Sequence, residues 1–221
     1  MRELQSPDAA ELLARDGSNL ASVLARMSAN GSRANTRVEE YLAAVAPGVE
    51  GVDAKSIGPK ETIEFRQQMA GSPDPWRFPA ANMSDGTVRA LGILVALFQP
   101  GSGCAGPSLV GIEEPEAALH PAAVGALLDS LREASRTTQV MVTSHSPDLL
   151  DDDEIETSAL VAVTAEGGVA TLAPIDDAGR SALRDRLYTA GELLRQNQLR
   201  PDPAAARLSP GQLSLFGEAP A

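Results

Sequence analysis

The sequence has few cysteines, few aromatic residues and no long apolar run, and each shortage excludes a class of protein. Cys104 is the only cysteine among 221 residues, which excludes an internal disulfide framework and any zinc site built from several cysteines. Aromatic residues make up 3% of the chain, too few for the stacking platforms that bind single-stranded nucleic acid. No apolar run approaches the roughly 18 residues of a membrane-spanning helix, and Met1 begins no signal peptide. We therefore expect a soluble, cytoplasmic protein without a membrane partner.

Positive charge is also scarce. Lysine and arginine total 18 against 30 aspartates and glutamates, for a net charge of −12, and residues 111–221 hold 8 of the basic residues but 18 of the acidic ones. Such a surface repels a phosphate backbone, so we expect no broad nucleic-acid-binding face and only an indirect link to DNA. The arginines at 26, 33 and 37 are interpreted as a solvated helix face.

Hydrophobic periodicity predicts strands that alternate with helices, an order typical of an α/β fold with a mostly parallel sheet and flanking helices. The predicted helices cover 17–29, 34–45, 85–98, 121–134 and 177–195, with a short helical turn after Pro147. The predicted strands cover 49–57, 61–67, 108–113, 138–143, 158–164 and 168–172, and a Pro-rich loop covers 71–81.

The stretch SLVGIEEPE predicts a buried strand that ends in two adjacent carboxylates, Glu113 and Glu114. Ligands of open α/β sheets bind at the carboxyl ends of such strands. Because successive side chains of a strand alternate, we expect the two carboxylates to point to opposite sides. One could then bind Mg²⁺ while the other orients or deprotonates an attacking water. Taken alone, the motif fits a strand that ends in solvated acids equally well.

Two further segments place polar residues at the ends of predicted elements. The apolar run QVMVTSH predicts a second buried strand, beside that of the two glutamates. It ends at His145, whose imidazole could hydrogen-bond a terminal phosphate or the attacking water. The segment NMSDGTVRALGIL places Ser84, Asp85 and Gly86 at a helix N-terminus, where free N–H groups and the helix dipole favour an anion. An ordinary strand end and an ordinary serine N-cap are the alternatives for these segments.

In this order, the three segments resemble ABC-type ATPases of the structural-maintenance-of-chromosomes (SMC), RecF and overcoming-lysogenization-defect group, and more closely the related bacterial AAA-family ATPases. MSDGT resembles the signature motif, LVGIEEPE the Walker B strand, AALHP the D-loop and TSHSP the switch histidine. The resemblance implies a P-loop NTPase-like fold, with ATP and Mg²⁺ as ligands and a role in DNA repair or defence. It assigns metal binding to Glu113, catalysis to Glu114 and His145, and ATP binding to Ser84, Asp85 and Gly86.

The sequence departs from this family at several positions. The first Walker B acid is Glu113 rather than the commoner aspartate, and Asp85 and Thr87 stand where cassette ATPases usually carry glycine and glutamine. The phosphate loop G-x-x-x-x-G-K-[ST] (Walker A) is missing, because the only lysines, Lys55 and Lys60, lack its flanking residues. We therefore expect the C-terminal portion of such an ATPase, incomplete at the N-terminus. We expect it to be inactive unless a homodimer or a Walker A-bearing partner completes the site.

Three regions follow from this interpretation. Residues 1–75 are expected to form a helical and β-hairpin insert or lid, residues 76–200 the C-terminal half of the ATPase core, and residues 201–221 a mobile Pro-rich tail. The tail contains QLSLF, which resembles the short motif that docks bacterial polymerases and repair proteins on the DNA sliding clamp. Gln212, Leu213, Leu215 and Phe216 would make that contact, although a chance apolar pentapeptide is the alternative.

Two other functions remain open at this point. The chain could be a nucleotide-independent binding module that acts through dimerisation or through the tail. It could also be a metal hydrolase that uses Glu113, Glu114, Glu116, His120 and His145. The metal hydrolase ranks last, because the proline at 121 makes His120 unsuitable as a ligand within a helix.

Overall fold

A computed structural model of the chain describes residues 1–29, 33–100 and 106–207. The sliding-clamp-like segment QLSLF and the single cysteine lie outside these residues. The contacts divide the chain into two units, unit 1 (Met1–Ser144) and unit 2 (His145–Ala221). No helix among the described residues is long and apolar enough to cross a membrane.

Unit 1 contains most of the regular structure, and its elements follow the predicted order closely. Its helices are α1 (Leu20–Ala29), α2 (Arg33–Val45), α3 (Asp85–Phe98) and α4 (Val124–Ser135). Its strands are β1 (Val49–Ile57), β2 (Lys60–Gln67), β3 (Trp76–Pro79), β4 (Leu109–Glu113) and β5 (Gln139–Thr143). Short 3-10 turns over Ala80–Asn82 and Pro121–Ala123 precede α3 and α4.

One hydrophobic core joins α1, α2 and α3 to the inner faces of β1 and β2. Leu24, Leu42, Phe65 and Leu91 are fully buried in it, and burial of each such side chain contributes about 1.5–3 kcal/mol. At its edge the Tyr41 ring stacks on Phe98 at 5.6 Å. This core contains residues from both sides of position 75, where the sequence analysis placed the boundary between its first two regions.

The first sheet is antiparallel, with the order β1-β2-β3. Gly58 turns the chain between β1 and β2 with a φ of +58°, which glycine adopts without strain. The predicted loop over 71–81 is wrong, because β3 lies within it and pairs with β2 from Gln67–Trp76 to Glu64–Pro79. Strand β3 is at the edge of the sheet, where a proline does not remove a required ladder hydrogen bond.

The prediction of a mostly parallel sheet is also wrong for the described residues, in which only β4 and β5 pair in parallel. Val110 is buried, but Leu109 is 49% exposed and Met141 is 58% exposed, so these strands are not buried throughout. Parallel strands are buried on both faces only where helices cover both faces. Helix α3 contacts β4 and α4 contacts β5, and the alternating exposure leaves the opposite face open.

Unit 2 begins with α5 (Pro147–Leu150) and the antiparallel strands β6 (Val161–Glu166) and β7 (Val169–Pro174). Three helices follow, α6 (Asp177–Arg184), α7 (Ala190–Arg195) and α8 (Pro203–Arg207). The single helix predicted over 177–195 is therefore wrong. Arg186 interrupts it with a φ of +55°, and Thr189 starts α7 with a capping box, which favours a new helix over continuation of the old one.

Side-chain contacts within unit 2 hold α5 against α7. The Asp151 carboxylate accepts a hydrogen bond from the Thr189 hydroxyl and pairs with Arg195 at 2.6 Å. Downstream, Ile175 forms a backbone bridge with Pro201, the first residue of the region predicted as a mobile tail, and α8 lies in the same region.

Candidate functional site

The carboxyl ends of β4 and β5 lie side by side, as the sequence predicted. Glu113 is in register with Thr143, and the backbone N–H of Glu114 donates to the Thr143 carbonyl at 2.8 Å. The Glu113 side chain is 81% exposed. A solvated carboxylate therefore stands at the end of the parallel pair, where ligands of α/β sheets bind.

Glu114 lies just beyond the strand in a strained turn. Its φ is +47°, and that of Ala118 is +66°, values that cost a non-glycine residue about 1–3 kcal/mol. The Glu114 carbonyl accepts a hydrogen bond from the Ala117 N–H at 3.0 Å, and the Glu116 carbonyl accepts one from the Leu119 N–H at 3.0 Å. The alternation of side chains expected for the two glutamates does not extend to Glu114, because the strand ends at Glu113. We call residues 114–119 the glutamate turn.

Helix α3 begins at the predicted anion site. Ser84 is its N-cap, and the Ser84 hydroxyl accepts a hydrogen bond from the Thr87 N–H at 3.1 Å. Asp85 occupies the first turn and pairs with Arg2 at 3.0 Å, with 84% of its side chain exposed. The serine N-cap that the sequence allowed as an alternative is therefore present.

Gly86 allows α3 to pack against the glutamate turn. It is buried, and a Cβ at this position would lie 2.3 Å from the carbonyl oxygen of Ala118. The sequence analysis explained Gly86 only as part of a phosphate site. The structure shows that glycine is also required here because a larger residue would clash with Ala118. The helix start and the turn are in direct backbone contact.

Arg89, in the second turn of α3, makes a contact that sequence reasoning missed. Its Nη2 donates hydrogen bonds to the carbonyl oxygens of Glu113 at 2.8 Å and Glu114 at 2.9 Å. Its Nε is buried and has no hydrogen-bond partner among the described residues. Backbone carbonyls leave no trace in the sequence, so no motif could have identified this arginine.

Arg15, Arg89 and Glu113 line an open cleft of about 270 Å³. Arg15 approaches the Glu113 carboxylate to 3.9 Å, but both side chains are almost fully exposed, so this pair contributes little stability. Mg²⁺ in nucleotide sites takes one or two carboxylates and completes its octahedron with phosphate oxygens and water. Glu113 fits such a ligand, because its carboxylate is solvated and stands at the edge of the cleft.

The remaining residues considered from the sequence do not form a metal cluster. Glu116 accepts a hydrogen bond from the Ser144 hydroxyl, and its second carboxylate oxygen is buried with no hydrogen-bond partner in the part of the chain that the structure describes. The Nδ1 of His120 accepts a hydrogen bond from the Ala122 N–H at 3.2 Å, and His145 is the exposed first residue of unit 2. Over the described ranges, no three His, Cys, Asp or Glu side chains lie close enough to hold a metal ion. The five side chains named for a metal hydrolase therefore form no such group among the described residues.

Comparison with protein families matches residues 73–151 to the family described as "AAA domain, putative AbiEii toxin, Type IV TA system". This segment includes the start of α3, the glutamate turn and the end of β5, and with them every residue that the sequence analysis assigned to the ATPase site. The matched segment is thus similar to an AAA-type ATPase domain, although it makes up only about a third of the chain. A comparison with curated proteins found no match.

Among solved structures, the chain is similar to heads of SMC ATPases. It is 18% identical to an SMC ATPase studied for ATP-driven dimerization and DNA-stimulated activation, with a TM-score of 0.48 over 73% of this chain and 94% of that one. For the Smc head with coiled coil and joint from Pyrococcus yayanosii, the identity is 17% and the TM-score 0.47, over 78% of this chain and 31% of that one. For the Smc head from Pyrococcus furiosus bound to the C-terminal domain of ScpA, the values are 14% and 0.49, over 78% and 42%. Because all three TM-scores are below 0.5, these similarities do not decide the fold.

Proposed function

We propose that this chain supplies the signature, Walker B and switch-histidine part of an ABC-type ATPase, and that turnover requires a phosphate loop carried by another polypeptide or by a partner subunit. The observation that carries the proposal is the direct packing of α3 on the glutamate turn, within the segment that matches an AAA domain. A role in DNA repair or defence belongs to the proposal through the resemblance of the motifs alone.

Each candidate residue has a chemical role in this proposal. Glu113, as a solvated carboxylate, would be a ligand of Mg²⁺, which when bound neutralises charge that develops on the transferred phosphoryl group. Glu114 would orient or deprotonate the attacking water. Ser84 and the N-terminus of α3 would face the terminal phosphate of a nucleotide held by the partner. His145 would hydrogen-bond that phosphate or the water.

Two observations support the need for a partner. Neither lysine of this chain stands in a phosphate-loop motif, so the backbone cradle and the lysine that hold the β- and γ-phosphates must come from elsewhere. In addition, Leu109 and Met141 expose apolar surface on the open face of the β4–β5 pair. In this proposal the partner polypeptide covers that face.

The test is Mg²⁺-dependent ATP turnover by the purified chain, alone and mixed with a polypeptide that carries G-x-x-x-x-G-K-[ST]. We expect turnover only in the mixture, and we expect Glu114→Gln to lower it by at least roughly a hundredfold. Glu50→Gln is the matched control, because it makes the same chemical change at an exposed position of β1.

Two outcomes would contradict the proposal. Turnover by the chain alone would mean that it holds the nucleotide without an external phosphate loop. Absence of both ATP binding and turnover in every mixture would favour the second candidate, a nucleotide-independent binding module that uses the exposed apolar face of β4–β5.

A further inference from the structure

We propose that Arg89 is a positioning residue that fixes the two peptide groups flanking Glu114 and thereby ties the direction of the Glu114 carboxylate to helix α3. The inference rests on the proposed function, because it gives Glu114 the catalytic role described above. It adds a residue that no motif identifies and a route by which the start of α3 acts on the glutamate turn.

The geometry of the contact is that of a clamp. A single nitrogen, Nη2 of Arg89, donates to two consecutive carbonyl oxygens, of Glu113 at 2.8 Å and of Glu114 at 2.9 Å. Hydrogen bonds from a charged donor are roughly twice as strong as those between neutral groups. The Glu114 carbonyl also accepts the Ala117 N–H, so Arg89 and the turn's own hydrogen bond converge on the same atom.

The glutamate turn needs such a clamp because its backbone is strained. A non-glycine residue at a φ of +47° persists only where the surrounding contacts fix it. On the strand side, the N–H of Glu114 is fixed by the Thr143 carbonyl. Its carbonyl side is fixed by Arg89, so the side chain between the two peptides is oriented from both directions.

The clamp joins two parts of the proposed site. Arg89 lies five residues after Ser84, on the helix whose start would face the partner's phosphate. Gly86 adds a second connection, since its backbone approaches the Ala118 carbonyl so closely that a Cβ would clash with it. A displacement of α3 would therefore be transmitted to Glu114 through backbone contacts.

Arg15 provides a contrast within the same cleft. It approaches only the Glu113 carboxylate, at 3.9 Å, and its side chain is 95% exposed. It contacts no backbone atom of the glutamate turn in any hydrogen bond that the structure shows. Positive charge beside Glu113 is thus available from two arginines, but only Arg89 is placed to orient the turn.

The first experiment measures the turn directly, without any requirement for activity. Hydrogen exchange is followed in the purified chain for the amides of Glu114, Ala117 and Leu119. We expect Arg89→Ala to accelerate exchange at these amides by roughly tenfold, with no change at the amide of Val142 in β5. Arg136→Ala, at an exposed position after α4, removes the same charge and should leave all of them unchanged.

The second experiment separates positioning from stability. In the mixture that turns over ATP, Arg89→Ala should lower kcat roughly ten- to a hundredfold while the KM for ATP changes less than about twofold, because the inference assigns Arg89 to the backbone of the turn and not to nucleotide binding. Arg89→Lys should restore most of kcat, because both hydrogen bonds come from one nitrogen and an ammonium group has three donors. Rates are referred to the folded fraction, measured by circular dichroism.

The outcomes distinguish this inference from the proposed function. Unchanged exchange at all three amides in Arg89→Ala overturns the inference, whether or not any mixture turns over ATP. Full kcat in Arg89→Ala, in a mixture that Glu114→Gln inactivates, overturns the inference and leaves the proposed function standing. If Arg89→Ala does not fold, Arg89→Lys decides the question. Exchange rates and a kcat near those of the wild type support the clamp. Faster exchange at the three amides together with a lower kcat contradicts it.

Discussion

Replacement of Gly86 by alanine tests the contact between α3 and the glutamate turn. The added Cβ would lie 2.3 Å from the carbonyl oxygen and 3.2 Å from the carbonyl carbon of Ala118. Both neighbours are backbone atoms, so relief requires a shift of the helix or of the turn rather than a rotation of a side chain. We expect Gly86→Ala to destabilise unit 1.

The magnitude follows from a matched control, Gly125→Ala. Both glycines are the second residue of a helix, Gly86 in α3 and Gly125 in α4, so the gain in helix propensity, about 0.5–1 kcal/mol, is nearly the same. A Cβ at Gly125 meets no atom within 4 Å. The difference between the variants therefore isolates the clash, which overpacking data put at about 1–3 kcal/mol.

The assay is urea unfolding followed by the fluorescence of Trp76, the only tryptophan, which reports on unit 1. With a slope of about 2 kcal/mol per molar urea, the midpoints of the two variants should differ by roughly 0.5–1.5 M, with Gly86→Ala below the wild type and Gly125→Ala at or above it. A Gly86→Ala midpoint equal to that of Gly125→Ala would refute the reasoning, because the backbone contact would then impose no cost.

Three further predictions concern other parts of the chain. Burial and a hydrogen bond to a carboxylate raise the pKa of Tyr41 to about 12. The contribution of the protonated Tyr41 hydroxyl to the free energy of unfolding should therefore be complete below pH about 10 and lost as the pH rises towards 12. Urea unfolding of the wild type and of Tyr41→Phe across this pH range measures this contribution. The hydrogen bond from a threonine hydroxyl holds the pKa of Asp151 below its usual value, so Asp151→Asn should cost unit 2 about 1 kcal/mol near pH 7. This cost should disappear as the pH falls below about 4 and passes through the lowered pKa, as measured by circular dichroism in urea. A peptide of residues 205–221 should bind a bacterial sliding clamp saturably, and equal binding after replacement of Leu215 and Phe216 by alanine would contradict the docking role of QLSLF.

The local hydrophobic pattern was sufficient to predict those helices and strands of unit 1 whose apolar residues recur with a strong periodicity. The apolar spacing of α1, α2 and α3 and the alternation of β1 and β2 predicted each within a few residues, because these signals depend on neighbours along the chain. The pattern failed at β3, whose prolines suggested a loop, and at Arg186, where one left-handed residue divides the helix predicted over 177–195.

The order of the motifs was likewise readable from the sequence, and the meeting of β4 and β5 at their carboxyl ends followed from it. The pairing of sheets and the exposure of Leu109 and Met141 could not be read in this way, because an apolar run does not reveal whether one or both of its faces will be covered. The prediction of a mostly parallel sheet was wrong because it assumed that both faces of these strands would be covered.

By itself, then, the sequence determined the candidate residues and the helix or strand beside which each of them lies. Only the tertiary structure decided how the candidates are held: Gly86 against the carbonyl of Ala118, and Arg89 on the carbonyls of Glu113 and Glu114. The physical reason is that both contacts end on backbone oxygen atoms. Every residue carries the same carbonyl group, so its position is set by the folding of distant segments and not by the identity of any side chain.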